Sequence, residues 1–386
     1  MPRRAPPAKK AVRKKAAKRK KDPEVRRKAA KKRARWDARG VKYTPVSQVV
    51  GDGRMQRSKI AATSRYTLTD ITDLTDKDAY RLLVDLGFLR DLGGSPCPRC
   101  EQPLPRPLNL RWRDGMAPHV RCTAKQCRKE FSATNGTWAR HRAPIRKQAA
   151  AAWLASGMCS AQIGYGDAAL MLGISGSTRK DIWEDLRKLM VSASRVEQSS
   201  IKLFGECEGD ATTVRVVNLA NGRNVHIRAW VGVRRGDMTT LCCYPLPSYT
   251  TCRGTATRPE SRIEVEPFIK KHASEDKLLI WHSDGARAYR YLPNHTSVKH
   301  QRKVWVARKK LRLEGGDVLW CVAGTCLIDG LWSHLKGAIP KTTHTYTKED
   351  QARLGDYMYA WAWKTRRQQK PDLFAELGAS IALATK

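Results

Sequence analysis

The chain has 386 residues and a formal net charge of +38 at pH 7, from 74 lysine and arginine residues against 36 aspartate and glutamate residues. Residues 1–40 hold 19 of the basic residues and 3 of the acidic ones, so the rest of the chain is also strongly basic. A field of this sign attracts phosphate backbones, which favours nucleic acid as the partner over a surface that is merely solubilising.

Composition also excludes several classes of protein. No apolar run approaches the ~20 residues that a membrane-spanning helix needs. Met1-Pro-Arg-Arg leads into lysines rather than into the apolar core of a secretory signal. Eleven cysteines, an odd number, argue against a disulfide framework and for a reducing compartment. We therefore expect neither membrane association nor secretion.

Residues 1–45 predict a disordered basic tail, because large apolar side chains are too few there to form a core. The basic clusters resemble a bipartite nuclear-import signal, but a DNA-binding arm would have the same composition. We expect the protein in the nucleus if its host is eukaryotic, and otherwise in the cytoplasm or nucleoid. The clusters are Lys14-Lys15, Lys18–Lys21, Arg26–Lys28 and Lys31–Arg33.

Residues 46–92 predict a linker followed by an amphipathic helix. Thr75-Asp-Lys-Asp78 has the pattern of a helix N-cap with acids in the first turn. The side chains expected on the apolar face are Tyr80, Leu82, Leu83, Leu86 and Leu89.

Residues 93–136 predict a zinc ribbon. Two close cysteine pairs, Cys97 with Cys100 and Cys122 with Cys127, are separated by 21 residues. This spacing places four thiolates at the tips of two β-knuckles, as in a tetrahedral structural site for Zn²⁺. A segment this small cannot build its own apolar core, so the ion would supply much of its folding free energy. The alternative is four ordinary buried cysteines.

Residues 137–198 predict a helix-turn-helix module. Two helices flank a glycine-containing turn at Gly173–Ser177, which is the arrangement of a common DNA-binding motif. A small helical bundle that links two domains is the alternative. The expected helices are Ile145–Met158, Asp167–Leu172 and Thr178–Met190, and the side chains expected to face DNA are Arg179, Lys180, Arg187 and Lys188.

Residues 199–345 predict an α/β domain. Several strands, a crossover helix over Arg262–His272 and a helical segment at 327–340 indicate a three-layer sheet, consistent with an RNase-H-like fold. Residues 346–386 predict C-terminal helices. The expected strands are Ile201–Cys207, Thr212–Leu219, Val225–Val233, Thr239–Tyr244, Lys277–His282 and Thr296–Ala307.

Three aspartates are candidates for a metal site in this domain. Asp284 closes an apolar segment that reads as a buried strand, Asp210 ends another segment upstream, and Asp329 opens an expected helix downstream. Phosphoryl transfer on DNA uses two Mg²⁺ ions, or Mn²⁺, and two or three carboxylates can hold the pair. Each aspartate alone would more often be a cap or a surface acid, so the combination carries the prediction.

Two glutamates precede Asp210 on the same expected strand. Glu206 and Glu208 alternate with it, so they would share its face if the strand runs unbroken. One of them could assist the aspartates, but a salt bridge is the expected role.

The order of these motifs resembles that of the DDE transposases of the ISXO insertion-sequence group and of their eukaryotic relatives, the Merlin elements. The likeness runs from about residue 75 to residue 367, through the zinc ribbon, the helix-turn-helix and three acidic segments. These segments are Gly205-Glu-Cys-Glu-Gly-Asp210, His282-Ser-Asp-Gly285 and Ile328-Asp-Gly-Leu-Trp332-Ser-His-Leu-Lys336.

The resemblance implies that Asp210 and Asp284 are the first two catalytic acids. Asp329 falls where the family has its third acid, normally a glutamate. Gly324 and Cys326 stand where the family has histidine and asparagine. The positions implied to support the site are Glu208, His300, Trp332 and Lys336.

We therefore expect a transposase that binds double-stranded DNA, both element terminal repeats and target, as a homo-oligomer. It would carry structural Zn²⁺ and would cut and join strands with Mg²⁺ or Mn²⁺. One alternative is a domesticated or inactive transposase-derived protein that only binds DNA. The other is a zinc-ribbon factor of transcription or RNA processing, which would prefer RNA.

Deleting residues 1–40 should weaken DNA binding without abolishing sequence preference, because phosphate contacts position a protein and base contacts specify the site. The slope of log affinity against log salt concentration should become shallower in a binding titration. An unchanged slope would show that the tail serves nuclear import alone.

Overall fold

The computed structural model describes residues 65–384, apart from 114–116, 158–164, 220, 276, 299–303, 314–315, 340–346, 369 and 371. The basic tail at 1–45 and His300 lie outside the described residues, so what the sequence predicts for them stays a prediction. In the described part of the chain, no helix is both long and apolar enough to cross a membrane.

The first described elements are two capped helices and a small sheet. Thr67 and Thr75 cap the helices α1 and α2 by accepting hydrogen bonds from backbone N–H groups of the first turn. Helix α2 begins where the sequence predicted, but it ends before Leu89. The bounds are Leu68–Thr72 for α1, Asp76–Asp85 for α2, Leu110–Arg111 for β1, His119–Arg121 for β2 and Glu130–Ser132 for β3, and the three strands form an antiparallel sheet in the order β1-β2-β3.

Three helices follow, at Ile145–Ser156 (α3), Tyr165–Leu172 (α4) and Gly176–Ser200 (α5). The hydroxyl of Ser175 caps α5 by accepting from the N–H of Thr178. Helix α5 continues ten residues beyond the expected end at Met190, because the apolar residues Val191 and Ala193 and the buried Gln198 extend its packed side.

The largest sheet has five strands in the order β6-β5-β4-β7-β8. Strands β4, β5 and β6 pair antiparallel, whereas β7 and β8 run parallel to β4. The two strands predicted at Ile201–Cys207 and Thr212–Leu219 are one strand, with a bulge near Thr213. The bounds are Gly205–Asn218 for β4, Arg223–Arg234 for β5, Asp237–Cys252 for β6, Leu279–Ser283 for β7 and His295–Ser297 for β8.

Helices cover both faces of this sheet, so the protein is a mixed α/β fold. Helix α6 (Arg262–His272) packs with Trp230 and Trp281 on one face. On the other face, α7 (Cys326–Ala338) and α8 (Lys348–Arg366) pack against the valine-rich side of β4 and β5. The last helix, α9 (Leu373–Ala384), joins the apolar cluster of the N-terminal helices instead.

A separate β-hairpin lies between β8 and α7, with strands β9 (Ala307–Arg312) and β10 (Val318–Ala323). The predicted strand over Thr296–Ala307 is therefore wrong in extent. Strand β8 ends at Ser297, and the next strand begins only at Ala307, where the expected strand ended.

Close packing at Gly209 predicts an intolerance to any side chain. A Cβ there would lie 1.8 Å from Cζ2 of Trp281, whose ring is held by parallel stacking on Trp230. Gly209→Ala should lower the free energy of unfolding in urea by about 2–3 kcal/mol, because the buried indole has no room to shift. The control is Gly330→Ala on the exposed side of α7, where no atom lies within 4 Å of the added methyl. Gly330→Ala should raise the free energy of unfolding by about 0.5–1 kcal/mol. Equal effects of Gly209→Ala and Gly330→Ala would contradict this packing.

Candidate active site and metal centre

Glu208 is a fully buried carboxylate at the junction of β4 and α7. Its Oε1 accepts a hydrogen bond from Nε of Arg235 at 2.9 Å. Its Oε2 accepts from the backbone N–H groups of Leu327 and Ile328, at 3.0 and 3.2 Å, in the first turn of α7. Burial raises the pKa of Glu208, while Arg235 and the N–H groups act in the opposite direction. The negative charge is well placed there, because a helix N-terminus favours an anion.

Arg235 connects this carboxylate to three other groups. It donates to Oε2 of Glu206 at 3.0 Å and to the carbonyl oxygens of Val322 and Gly324, just before α7. The two glutamates thus share one face of an unbroken strand and form salt bridges, as the sequence predicted.

The candidate active site is a group of three carboxylates, which we call the carboxylate group: Asp210, Glu260 and Asp284. One ligand oxygen from each lies within 4.8 Å of those of the other two. Asp210 stands on β4, and Asp284 directly follows the neighbouring parallel strand β7. Opposed oxygens around Mg²⁺ are about 4.2 Å apart, since each Mg–O bond is about 2.1 Å. The three oxygens are close enough that they could hold a divalent ion such as Mg²⁺ or Mn²⁺.

A tight turn fixes Asp284 in this place. Its Oδ1 accepts from the N–H of Ala286 at 3.0 Å. Gly285, between them, has a φ of +95°, and a Cβ there would lie 3.1 Å from the carbonyl oxygen of Val298. Only glycine adopts this conformation readily, which explains the Asp-Gly pair that marks the end of β7.

Burial raises the pKa values of two acids of the carboxylate group, Asp210 and Glu260. It holds the pKa of Asp210 well above its ordinary value, and the charges of Glu260 and Asp284 add to the effect. Burial also raises the pKa of Glu260 to about 7, with Asp284 acting in the same direction. Three acids gathered in a partly buried site repel one another, and a divalent cation relieves that repulsion.

Two further side chains adjoin the carboxylate group. Trp332 of α7 donates its indole N–H to Oδ2 of Asp210 at 3.0 Å, which gives this expected supporting residue a positioning contact. Tyr289 lies fully buried beside Glu260, and a hydrogen bond from its hydroxyl lowers the pKa of that carboxyl.

The third acid of the group is not the one that the sequence suggested. In the described part of the chain, Asp329 is not among the acids close enough to share an ion with Asp210 and Asp284. It is exposed in the first turn of α7, where the hydroxyl of Thr325 donates to it at 3.4 Å. Since Trp332 follows three residues later and reaches Asp210, Asp329 lies on the side of the helix next to the group. Lys336, one turn further, is exposed.

Glu260 was missed for a physical reason. It directly precedes Ser261, the N-cap of α6, and Glu264 completes a capping box with that serine. In the sequence, an acid at this position looks like one more favourable charge at a helix N-terminus. Its role depends on its closeness in the fold to the strands that bear the aspartates, and the sequence alone does not reveal that closeness.

The four cysteines form a second possible metal site. The Sγ atoms of Cys97, Cys100, Cys122 and Cys127 lie within 4.8 Å of one another. The Cys97–Cys127 and Cys100–Cys122 sulfur distances are 4.0 and 3.6 Å. A tetrahedron of thiolates at about 2.3 Å from Zn²⁺ has sulfur–sulfur distances of about 3.8 Å, so the four atoms could hold this ion.

Two similar turns present these sulfurs. In the first, the N–H of Glu101 donates to the carbonyl of Cys97, and Glu101 has a φ of 62°. In the second, the N–H of Arg128 donates to the carbonyl of Ala124, and Arg128 has a φ of 46°. Non-glycine residues adopt this left-handed conformation only where the surroundings hold them, and a metal-closed knuckle is such a place.

The four side chains that were expected to face DNA divide into two pairs. Lys180 and Lys188 are exposed, as expected of residues that meet DNA. The expected exposure of Arg179 and Arg187 is wrong. Arg179 is buried with its guanidinium 5.2 Å from the centre of the Trp183 ring, and Arg187 donates to the hydroxyl of Tyr357 on α8 at 3.0 Å. Packing against aromatic rings, which helical spacing does not reveal, accounts for both.

Comparison with protein-family models, with curated proteins and with solved structures found no match.

The purified protein should carry about one zinc ion per chain, and Cys100→Ser should release it and unfold the ribbon, since a lost ligand removes folding free energy with the ion. Cys252→Ser, which changes an exposed cysteine far from the ribbon in sequence, should retain the zinc. Elemental analysis decides the matter, and undamaged protein without zinc would refute the assignment.

Binding of Mn²⁺ to the carboxylate group should strengthen as pH rises from 6 to 8, because protons compete with the ion at Asp210 and at Glu260, whose pKa is about 7. One competing proton gives about a tenfold loss of affinity per pH unit below that pKa. Calorimetric titration with Glu260→Gln should show binding that is weaker and less pH-dependent. Glu275→Gln changes an exposed acid and should bind Mn²⁺ as the unmodified chain does. An affinity that stays the same from pH 6 to pH 8 would contradict the site.

Proposed function

We propose that the chain is a DNA transposase of the DDE type, whose carboxylate group holds the divalent cations for strand cleavage and transfer. The observation that carries the proposal is the convergence of Asp210, Glu260 and Asp284 in a chain of net charge +38. Partly buried acids in a strongly basic protein are suited to a reaction on a phosphate backbone, since a basic surface would attract DNA and the acids would hold the metal.

The architecture supports the same proposal. We assign the five-stranded sheet, with its three antiparallel and two parallel strands and helices on both faces, to an RNase-H-like domain. Its first and fourth strands in chain order, β4 and β7, are neighbours and supply the two aspartates. We assign the cysteine site to a structural zinc ribbon that, with the helix-turn-helix, recognises the element ends.

The residues of the site have different proposed roles. Asp210, Glu260 and Asp284 would bind Mg²⁺ or Mn²⁺, and the bound ions would activate the attacking hydroxyl and stabilise the leaving oxygen. Trp332 holds Asp210 in one orientation through its N–H. The Glu208–Arg235 pair binds no metal in this proposal, and it fixes β4 against α7 so that the acids stay in register.

Double-stranded DNA is the proposed partner, and a homo-oligomer assembled on two element ends is the proposed form. Lys180 and Lys188 remain the helix-turn-helix side chains available for phosphates, because they are exposed on α5. Both would strengthen binding without specifying sequence.

Cleavage assays with Mn²⁺ on plasmid DNA carrying the element's flanking sequences test the assignment. Asp210→Asn, Asp284→Asn and Glu260→Gln should each slow nicking by about 10²-fold or more, since the site depends on placing the ions to within about 1 Å. Asp329→Asn should stay within about tenfold of the unmodified chain, because an acid outside the group contributes less than a ligand.

The control for these variants is Glu275→Gln, an exposed acid in the same domain. Loss of cleavage in Asp329→Asn together with full activity in Glu260→Gln would restore Asp329 as the third acid. No nicking by the unmodified chain, with intact DNA binding, would favour the inactive transposase-derived protein, and tighter binding to RNA would favour the transcription or RNA-processing factor.

A further inference from the structure

The β9–β10 hairpin has two faces of opposite character. On the inner face, Leu311 and Cys321 are buried against Ile280 of β7, and Ala307 and Ala323 pack with Val298. The pairing register places Arg308 opposite Val322, Lys310 opposite Trp320 and Arg312 opposite Val318 on the outer face. Residues opposite one another point to the same side of a sheet, so this outer face carries a row of cations beside a row of apolar side chains.

The outer face is open. Arg308, Lys310 and Arg312 are exposed, and they recur about 6.8 Å apart along β9 because alternate residues of a strand share a face. Trp320 is 53% exposed and Val318 is 44% exposed. The guanidinium of Arg308 lies 5.1 Å from the centre of the Trp320 ring. The sequence of the two strands contains no aspartate or glutamate that would neutralise the row.

The hairpin is connected rigidly to the carboxylate group. Arg235, which is paired with Glu208, donates to the carbonyl oxygens of Val322 at the end of β10 and of Gly324 just beyond it. Helix α7 begins two residues after Gly324 and bears Trp332, which bonds Asp210. A strand of nucleic acid lying on the outer face would therefore be held in a fixed relation to the acids.

We propose that this outer face binds unpaired nucleotides of DNA, with the bases stacked on Trp320 and the phosphates on Arg308, Lys310 and Arg312. An indole can stack only on a base whose face is free, and in a duplex those faces are covered by neighbouring base pairs. The row of cations suits a backbone that runs along β9. The choice of DNA over RNA rests on the proposed function, because strand cleavage by a transposase frees ends that can unpair.

The test measures binding of the full chain to fluorescein-labelled DNA of about 20 nucleotides, single-stranded and duplex, by anisotropy without added Mg²⁺ or Mn²⁺ and without chelator, over a salt series. Trp320→Ala should weaken single-strand binding by about 5- to 100-fold at every salt concentration, since stacking is not screened. It should leave duplex binding almost unchanged, and Trp320→Phe should retain most of the single-strand affinity because it keeps a stacking ring.

The matched charge variants are Lys310→Ala and Lys309→Ala, neighbouring lysines whose side chains leave opposite faces of β9. Lys310→Ala should reduce the slope of log affinity against log salt by about 0.7 on single strands, the value for one phosphate contact. Lys309→Ala should leave the slope unchanged.

Full affinity in Trp320→Ala, or an equal loss on duplex, would overturn the proposal, and tighter binding to RNA of the same sequence would overturn the choice of DNA. Binding is measured here without added divalent metal and without cleavage. A negative result in this test therefore says nothing about the carboxylate group, and a negative result in the cleavage assay says nothing about this face.

Discussion

The buried ion pair between Glu208 and Arg235 is the interaction on which the arrangement around the carboxylate group depends. Glu208 joins β4 to the first turn of α7, and Arg235 joins both to Glu206 and to the carbonyl oxygens that end the hairpin. A buried pair contributes little net stability over an apolar replacement, but removing one partner leaves an uncompensated charge and costs about 3–5 kcal/mol. Its value here is specificity of position: four hydrogen bonds from Arg235, and two from backbone N–H groups to Glu208, fix the angle of α7 against the sheet, so that Trp332 meets Asp210.

The carboxylate group works against folding in the absence of metal. Burial and mutual repulsion raise the pKa values of Asp210 and Glu260, so ionising them in the folded chain is unfavourable. The strain is tolerable because Gly285, the N-terminus of α6 and the neighbouring parallel strands hold the three acids rigidly from separate elements. For this reason, an acidic cation site commonly destabilises the folded chain when it is empty, and binding of the ion stabilises the folded chain again. In the proposed function, the positive charge of the whole chain has a different role, that of attracting DNA.

The sequence was most informative where chemistry depends on local spacing. The cysteine pairs, the Asp284-Gly285 turn and the unbroken alternation of Glu206, Glu208 and Asp210 could all be read from neighbouring residues, and the structure brings each set together. It was least informative where a role depends on long-range contact. Glu260 looks like a helix-capping acid until α6 packs beside β7, and Arg179 and Arg187 look exposed until Trp183 and Tyr357 cover them. The hairpin was missed altogether, since the expected strand ended at Ala307 and no strand was predicted over residues 308–323.

The most direct test of the account is to locate manganese by anomalous scattering in crystals of the full chain grown with Mn²⁺. The account predicts a peak within about 2.2 Å of carboxylate oxygens from Asp210, Glu260 and Asp284, the distance expected for a small divalent ion bound by oxygen. A second ion nearby would be compatible with a two-metal reaction. A peak held by Asp210, Asp284 and Asp329, with Glu260 outside its coordination sphere, would contradict the assignment of the third acid. No peak at the carboxylate group at neutral pH would contradict the metal site itself.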